Sequence, residues 1–339
     1  MLEVALWHWV GFGVLVVVLL MLDLLVFHRH DHAPSLWESA GWTVFWVSVG
    51  LAFNAVVWWW DGAHAGATFL TAFLVEKSLS MDNIFVFVVI FRFFHIPLMY
   101  QYRVLFWGIL GAIFLRLAFI LAGIELIHQF NWVIAVFGLF LVYTGYKLAR
   151  HAGVDVHPDH NVVLKFARRF LRVTPGDHRH HGHAFFAREN GRWSITPMFL
   201  TLLVIESTDV LFAVDSVPAV LGVIPKTFTM PQKTFLAFTS NIFAILGLRA
   251  LYFLLAGSVD VFRYLHYGLA AILAFVGLKM LGEYWMELQG MEPLPPWVSL
   301  VVVVALLAVS IVASIVAQRR ENRTARDKAQ GANEENPSA

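Results

Sequence analysis

The stretch Thr201–Pro218, TLLVIESTDVLFAVDSVP, decides how the chain is read, because it sets Glu206, Asp209 and Asp215 in a run otherwise apolar enough to cross a membrane. On an insertion scale a carboxylate at the bilayer centre costs roughly 2.5–3.5 kcal/mol, whereas each Leu, Ile, Val or Phe returns only about 0.3–0.6. Three acids outweigh their apolar neighbours. The segment is tolerable only where those acids face protein, a cation or water instead of lipid. Pro218 leaves the carbonyl of Val214 without its helical partner, which predicts a kink or break beside Asp215. A carboxylate next to freed carbonyl oxygens at membrane depth has the makings of a cation site.

The surrounding chain has the composition of a polytopic membrane protein: 339 residues, 59% hydrophobic, 14% charged, with a mean hydropathy of +0.70. The absence of cysteine excludes disulfides, thiolate metal sites and Cys nucleophiles. The first apolar run, Trp7 to Phe27, is too long for a signal-peptide core and reads as a retained span. Apolar runs at 7–27, 40–60, 67–91, 104–124, 130–149, 196–221, 235–256, 264–284 and 297–317 predict an all-α bundle of about nine transmembrane helices. With the N-terminus outside, seventeen Lys and Arg fall in inner loops and the tail, and only Lys226 and Lys233 in outer loops. The positive-inside rule then places the C-terminus in the cytoplasm.

Residues 1–66 are expected to hold two N-terminal helices, 67–149 a first three-helix repeat, 196–284 a second, and 285–317 the last helix. Between the repeats, 150–195 is a basic, His-rich cytoplasmic loop, and 318–339 a disordered tail. The repeat rests on three echoes. Asp82-Asn-Ile-Phe matches Asp209-Val-Leu-Phe, Arg116-LAFILAG matches Arg249-ALYFLLAG, and Gly145-Tyr-Lys147-Leu matches Gly277-Leu-Lys279-Met. An odd number of spans per unit turns the second copy over, giving an inverted repeat of the kind that places transporter sites near the midplane.

The partner stretch is Leu74–Phe87, LVEKSLSMDNIFVF, in which Glu76, Ser80 and Asn83 share one helical face. Glu206 and Asp209 share another, while Asp215 joins them only if the helix bends before Pro218. Together Glu76, Asp82, Glu206, Asp209 and Asp215 supply carboxylates, with Ser78, Ser80, Asn83, Thr208, Ser216 and Asn241 as neutral oxygen donors. Such hard ligands suit manganese, magnesium or calcium, and composition does not choose among them. The bland alternative pairs the acids with Lys77, Arg116 and Arg249 to lock the bundle, but five acids against three bases leave two charges over. Arg116 and Arg249 read as structural partners or gate residues, since a guanidinium repels a metal ion. Lys77 reads equally as packing or as an occupant of the site when metal is absent. Asp23 reads as an interfacial cap or a partner of Arg29, and the ten inner-loop histidines (His28, His30, His32, His151, His157, His160, His178, His180, His181 and His183) read mainly as a solvated inner surface. No enzyme motif is present, and nothing points to an organic cofactor or to nucleic acid.

The motifs EKSLSMDN, IESTDVLFAVDSVPAV, TSNIFAILGLRALYF and VGLKM, in this order, resemble the TerC/Alx family of integral membrane proteins from about Trp7 to Met280. The family is linked by name to tellurite resistance, and its bacterial Alx-like members to manganese export and metal homeostasis. The resemblance implies that Glu76, Asp82, Glu206, Asp209 and Asp215 line a manganese(II) path across a bacterial cytoplasmic membrane. Lys77, Ser80, Asn83, Arg116, Ser216, Asn241 and Arg249 would support or gate it. Expelling a dication against an inside-negative potential costs about 4.6 kcal/mol per 100 mV, so export needs coupling, and proton entry through the same carboxylates supplies it. The alternative is a membrane scaffold that engages stress-response proteins through the basic loop.

Overall fold

A computed structural model describes residues 4–27, 34–150, 161–170, 173, 184–189, 192–256 and 265–335. The ten inner-loop histidines lie outside these residues. The helices are α1 Leu6–Phe27, α2 Leu36–Asp61, α3 Ala63–Phe93, α4 Leu98–Gln129, α5 Val133–Arg150, α6 Val162–Phe170, α7 Pro197–Val223, α8 Met230–Leu246, α9 Leu248–Ala256, α10 Leu265–Leu288 and α11 Pro296–Glu335. A short antiparallel hairpin, β1 Phe186–Glu189 with β2 Arg192–Ile195, precedes α7.

Local chemistry sets the breaks. Ser35 and Glu38 form a capping box that starts α2, and Thr229 with Gln232 forms another at α8. Gly62, at φ +88°, is the single residue between α2 and α3, a backbone state that a side chain would oppose. Pro97 stands just before α4 and Pro197 opens α7, where a missing N–H costs nothing.

By length and composition, seven of the described helices can cross a membrane, or eight when α8 and α9, bent by 41° at Gly247, count as one span. That falls short of the nine predicted, because α3, at 31 residues amply long, carries Glu76, Lys77 and Asp82 near its middle. Two further expectations are corrected. Residues 150–195 are more than a bare loop, since they contain α6 and the hairpin, and the tail after Gln318 is helical as far as Glu335 instead of disordered. Its Ala, Arg, Lys, Gln and Glu are good helix formers, and no proline intervenes before Pro337.

Two apolar clusters build the interior. One gathers Ala65–Leu79 of α3 with Ala213–Val223 of α7 and much of α8 and α10; the other gathers Ile84–Phe91 of α3 with Met198–Ile205 of α7, α6 and α9. Since α3 and α7 traverse the two clusters in opposite order, they run antiparallel. The polar residues of both fall at the seam.

Helices α5 and α10 approach most closely. A Cβ on Gly277 would stand 2.6 Å from the carbonyl oxygen of Gly138, and one on Gly145 would stand 2.7 Å from that of Ala270. Outside this pair, Lys226 binds Glu287 and also Asn131 Oδ1 at 2.9 Å, tying the α4–α5 turn and the α7–α8 connection to the end of α10. Backbone contact of this kind leaves no space for a branched side chain. Gly277→Val should therefore lower stability by about 1–3 kcal/mol, the usual cost of overpacking, seen as a lower melting temperature of the detergent-solubilised protein.

Candidate functional site

Arg116, 1% exposed on α4, is the hub of the polar seam. Its Nη1 donates to Glu76 Oε1 of α3, to Ser216 Oγ of α7 at 3.1 Å and to Asn241 Oδ1 of α8 at 3.5 Å; its Nη2 donates to Asp209 Oδ1 of α7 at 3.5 Å. Four helices thus meet on one guanidinium. The planar fork of arginine can hold two carboxylates at once, which an ammonium does less well.

Around that hub the polar atoms are incompletely matched. Glu76 Oε2, Asp209 Oδ2, Ser80 Oγ, Arg116 Nε and Asn241 Nδ2 are all buried with no hydrogen-bond partner. Buried polar atoms are ordinarily paired, and an orphan costs about 1–3 kcal/mol. Five such atoms among the described residues gather around this one guanidinium.

The other predicted carboxylates separate into two groups. Asp215 accepts from Thr144 Oγ1 of α5 at 3.1 Å and lies within electrostatic reach of Lys147 and of Asp82, which is half-buried on α3. Glu206 lies within electrostatic reach of Asp209 and presses its carboxylate against Gly111 of α4, where any Cβ would collide with it. Among the described residues Asp82 and Glu206 make no hydrogen bond or ion pair. Asn83 is buried on α3, like Ser80.

The break predicted at Pro218 is absent: α7 continues as one helix to Val223, so Asp215 turns toward α5 instead of joining Asp209. The helix continues past Pro218 even though that residue has no N–H to donate to the carbonyl of Val214. The interruption lies instead at Gly247, between α8 and α9. There the carbonyl of Ala244 accepts from Lys77 Nζ at 3.1 Å, the only hydrogen bond of that buried lysine among the described residues. A Cβ on Gly247 would come within 2.8 Å of both Lys77 Nζ and Trp46 Cβ, so the lysine occupies space that only glycine leaves open.

Arg249, the echo of Arg116, is not part of the hub. It pairs with Asp23 of α1, whose backbone carbonyl it also contacts at 3.3 Å, and both residues are buried. This replaces the expected interfacial role of Asp23. Among the described residues no three His, Cys, Asp or Glu side chains converge as a metal cluster. The guanidinium of Arg116 stands between the carboxylates of Glu76 and Asp209. Sequence reasoning missed Thr144, which precedes the Gly145 echo, and Ser207, whose Oγ accepts from Asn161 Nδ2 at 2.8 Å. Asn161 also caps α6 through Val163 and Leu164 N–H, so one side chain both starts that helix and ties it to α7 beside Glu206.

The model of the Integral membrane protein TerC family matches residues 61–322, the stretch that contains Arg116 and all four of its side-chain partners. The chain belongs to this family. Over 311 residues it is 47% identical to an uncharacterised membrane protein of Myxococcus xanthus, covering 92% of each chain. It is also 42% identical over 317 residues, 90% of this chain and 92% of the relative, to Alx of Salmonella typhi. With Alx of Escherichia coli strain K12 it shares 43% over 286 residues, 80% and 85% of the two chains. Both Alx proteins carry names describing candidate membrane-bound redox modulators. No solved structure matches the chain. As a TerC protein it is an integral, multi-pass membrane protein with bacterial relatives.

Removing one member of a buried ion pair strands its partners' charge. Arg116→Ala should cost about 3–5 kcal/mol, read as loss of folded, monodisperse protein, whereas Arg116→Ala with Glu76→Gln should recover part of that loss.

Proposed function

We propose that this TerC protein exports a divalent metal cation, manganese(II) above others, across the bacterial cytoplasmic membrane, driven by proton entry through the intramembrane carboxylates. The observation that carries this is the Arg116 hub, where buried, incompletely paired oxygens of Glu76, Asp209 and Ser80 lie between two apolar clusters. With Arg249 committed to Asp23 and Lys77 to a backbone carbonyl, five acids face fewer bases than sequence counting allows. Surplus negative charge in a low-dielectric interior calls for a cation or for protons, and the two compete for the same oxygens. The donors are all oxygen, which favours manganese, magnesium or calcium over zinc or copper.

The architecture supports a carrier. Under the echoes in the sequence, Gly138 corresponds to Ala270 and Gly145 to Gly277, so the Gly138–Gly277 contact maps onto the Ala270–Gly145 contact. The packing of α3 on α8 likewise mirrors that of α4 on α7. We read α3–α5 and α7–α10 as an inverted repeat, with the N-terminus outside and the C-terminus inside. The redox label of the Alx relatives fits this reading indirectly, because a chain without cysteine changes redox balance through the metal it moves and not through thiols.

In proteoliposomes, a manganese gradient should drive an opposing pH change, and the flux should fall by about tenfold or more in Asp209→Asn while the protein still folds, since one carboxylate is removed from the hub. Binding of manganese should weaken as pH falls, because protons occupy the same carboxylates. Transport that leaves pH untouched would remove the coupling, and full activity in Asp209→Asn would remove the site.

A further inference from the structure

Arg116 raises a question that export alone does not answer. Its guanidinium already fills the position between Glu76 and Asp209. A dication bound there as well would sit against a fixed positive charge at contact distance, in an interior where screening is weak. Either these carboxylates never hold the cargo, or the arginine leaves when the cargo arrives.

The surroundings provide somewhere for it to go. A helical side chain leans toward the N-terminus of its helix, which directs Arg116 along α4 toward Ala112 and Gly111. On Gly111 lies the carboxylate of Glu206, which among the described residues has no hydrogen bond or ion pair of its own. Glu206 is one helical turn from Asp209 on α7, so a guanidinium released from Asp209 needs to travel only about 5 Å to meet it. The atoms it would abandon are prepared for a successor. Asn241, fully buried, turns its amide toward Arg116 yet leaves Nδ2 without a partner, and the second oxygens of Glu76 and Asp209 are likewise unused.

We infer that Arg116 is a tethered counter-cation: it holds the Glu76–Asp209 position while the site is empty, and the incoming dication displaces it onto Glu206. This rests on the reading of the protein as a cation carrier and adds the element that switches it. Charge is conserved in the exchange, since the guanidinium moves from one carboxylate pair to another acid and the dication balances the pair it leaves. The unloaded carrier then crosses with its internal cation in place and the entering protons on the remaining carboxylate charge, and the loaded one with the cargo. Glu206 acts as a positioning residue for Arg116 and not as a ligand.

The test uses the full chain in detergent with manganese(II) chloride as the only ligand, following affinity and the rise in melting temperature. Arg116→Gln removes the competitor and should bind manganese about tenfold or more tightly than the unaltered protein, within the range of ordinary coupled equilibria. Glu206→Gln should weaken binding about fivefold or more when Arg116 is present and change it less than about twofold in the Arg116→Gln background, a non-additivity that a ligand role would not produce. Arg116→Lys, which keeps the charge but loses the fork, should fall between the two and serves if Arg116→Gln does not fold. Unchanged affinity in both arginine variants, absence of binding in all of them, or equal weakening by Glu206→Gln in both backgrounds overturns the inference. Its failure differs from failure of the export reading: binding that follows this pattern without flux in vesicles removes export alone, and flux without tighter binding in Arg116→Gln removes the switch alone.

Discussion

A guanidinium enclosed between two carboxylates, out of reach of water, is the interaction on which this molecule depends. In a bilayer interior each of those charges is expensive alone, and their mutual attraction offsets the expense only when geometry and hydrogen bonding are favourable. Arg116 meets that condition by reaching α3, α7 and α8 from α4. The arrangement of the central helices follows from it, because none of the four can move away without leaving a charge or a polar group unmatched.

Two other buried ion pairs stand apart from this hub. Asp23 and Arg249 join α1 to α9, and Lys279 binds Glu283 one turn along α10 at 3.0 Å while donating to the Gly222 carbonyl at 3.0 Å. These pairs have local partners and lie apart from the group that links Glu76, Asp209, Ser216 and Asn241. That contrast separates charges that fasten helices from charges that leave room for a visitor. It also explains why counting acids against bases along the sequence understates the surplus at the seam.

Much of this is legible in the sequence because hydrophobic runs and buried acids obey simple arithmetic. The apolar periodicity locates the long helices, and the burial of Glu76, Ser80, Asn83, Asp209, Ser216 and Asn241 follows from the cost of showing polar atoms to lipid. Three-dimensional partnership is where the reading fails. Nothing in the linear order tells that Arg249 prefers Asp23, 226 residues earlier, to the acids that its echo Arg116 holds. Pro218 is the second failure. A proline weakens one hydrogen bond, but α7 is packed along both apolar clusters and continues through it, whereas Gly247 ends α8 because Lys77 and Trp46 crowd that point from outside the helix. Helix breaks are decided by neighbours as much as by the residue that bears them. The inner segment misled for a related reason, since α6 is fixed by a single asparagine whose partner, Ser207, lies 46 residues away.

The contact of α5 with α10 has one more consequence. Where two backbones touch at two points two turns apart, sliding one helix along the other would drive side chains into the space that the glycines leave, so the register is held. The pair therefore behaves as one two-helix unit, and α7, which carries Asp209 and Ser216 of the seam, packs against it.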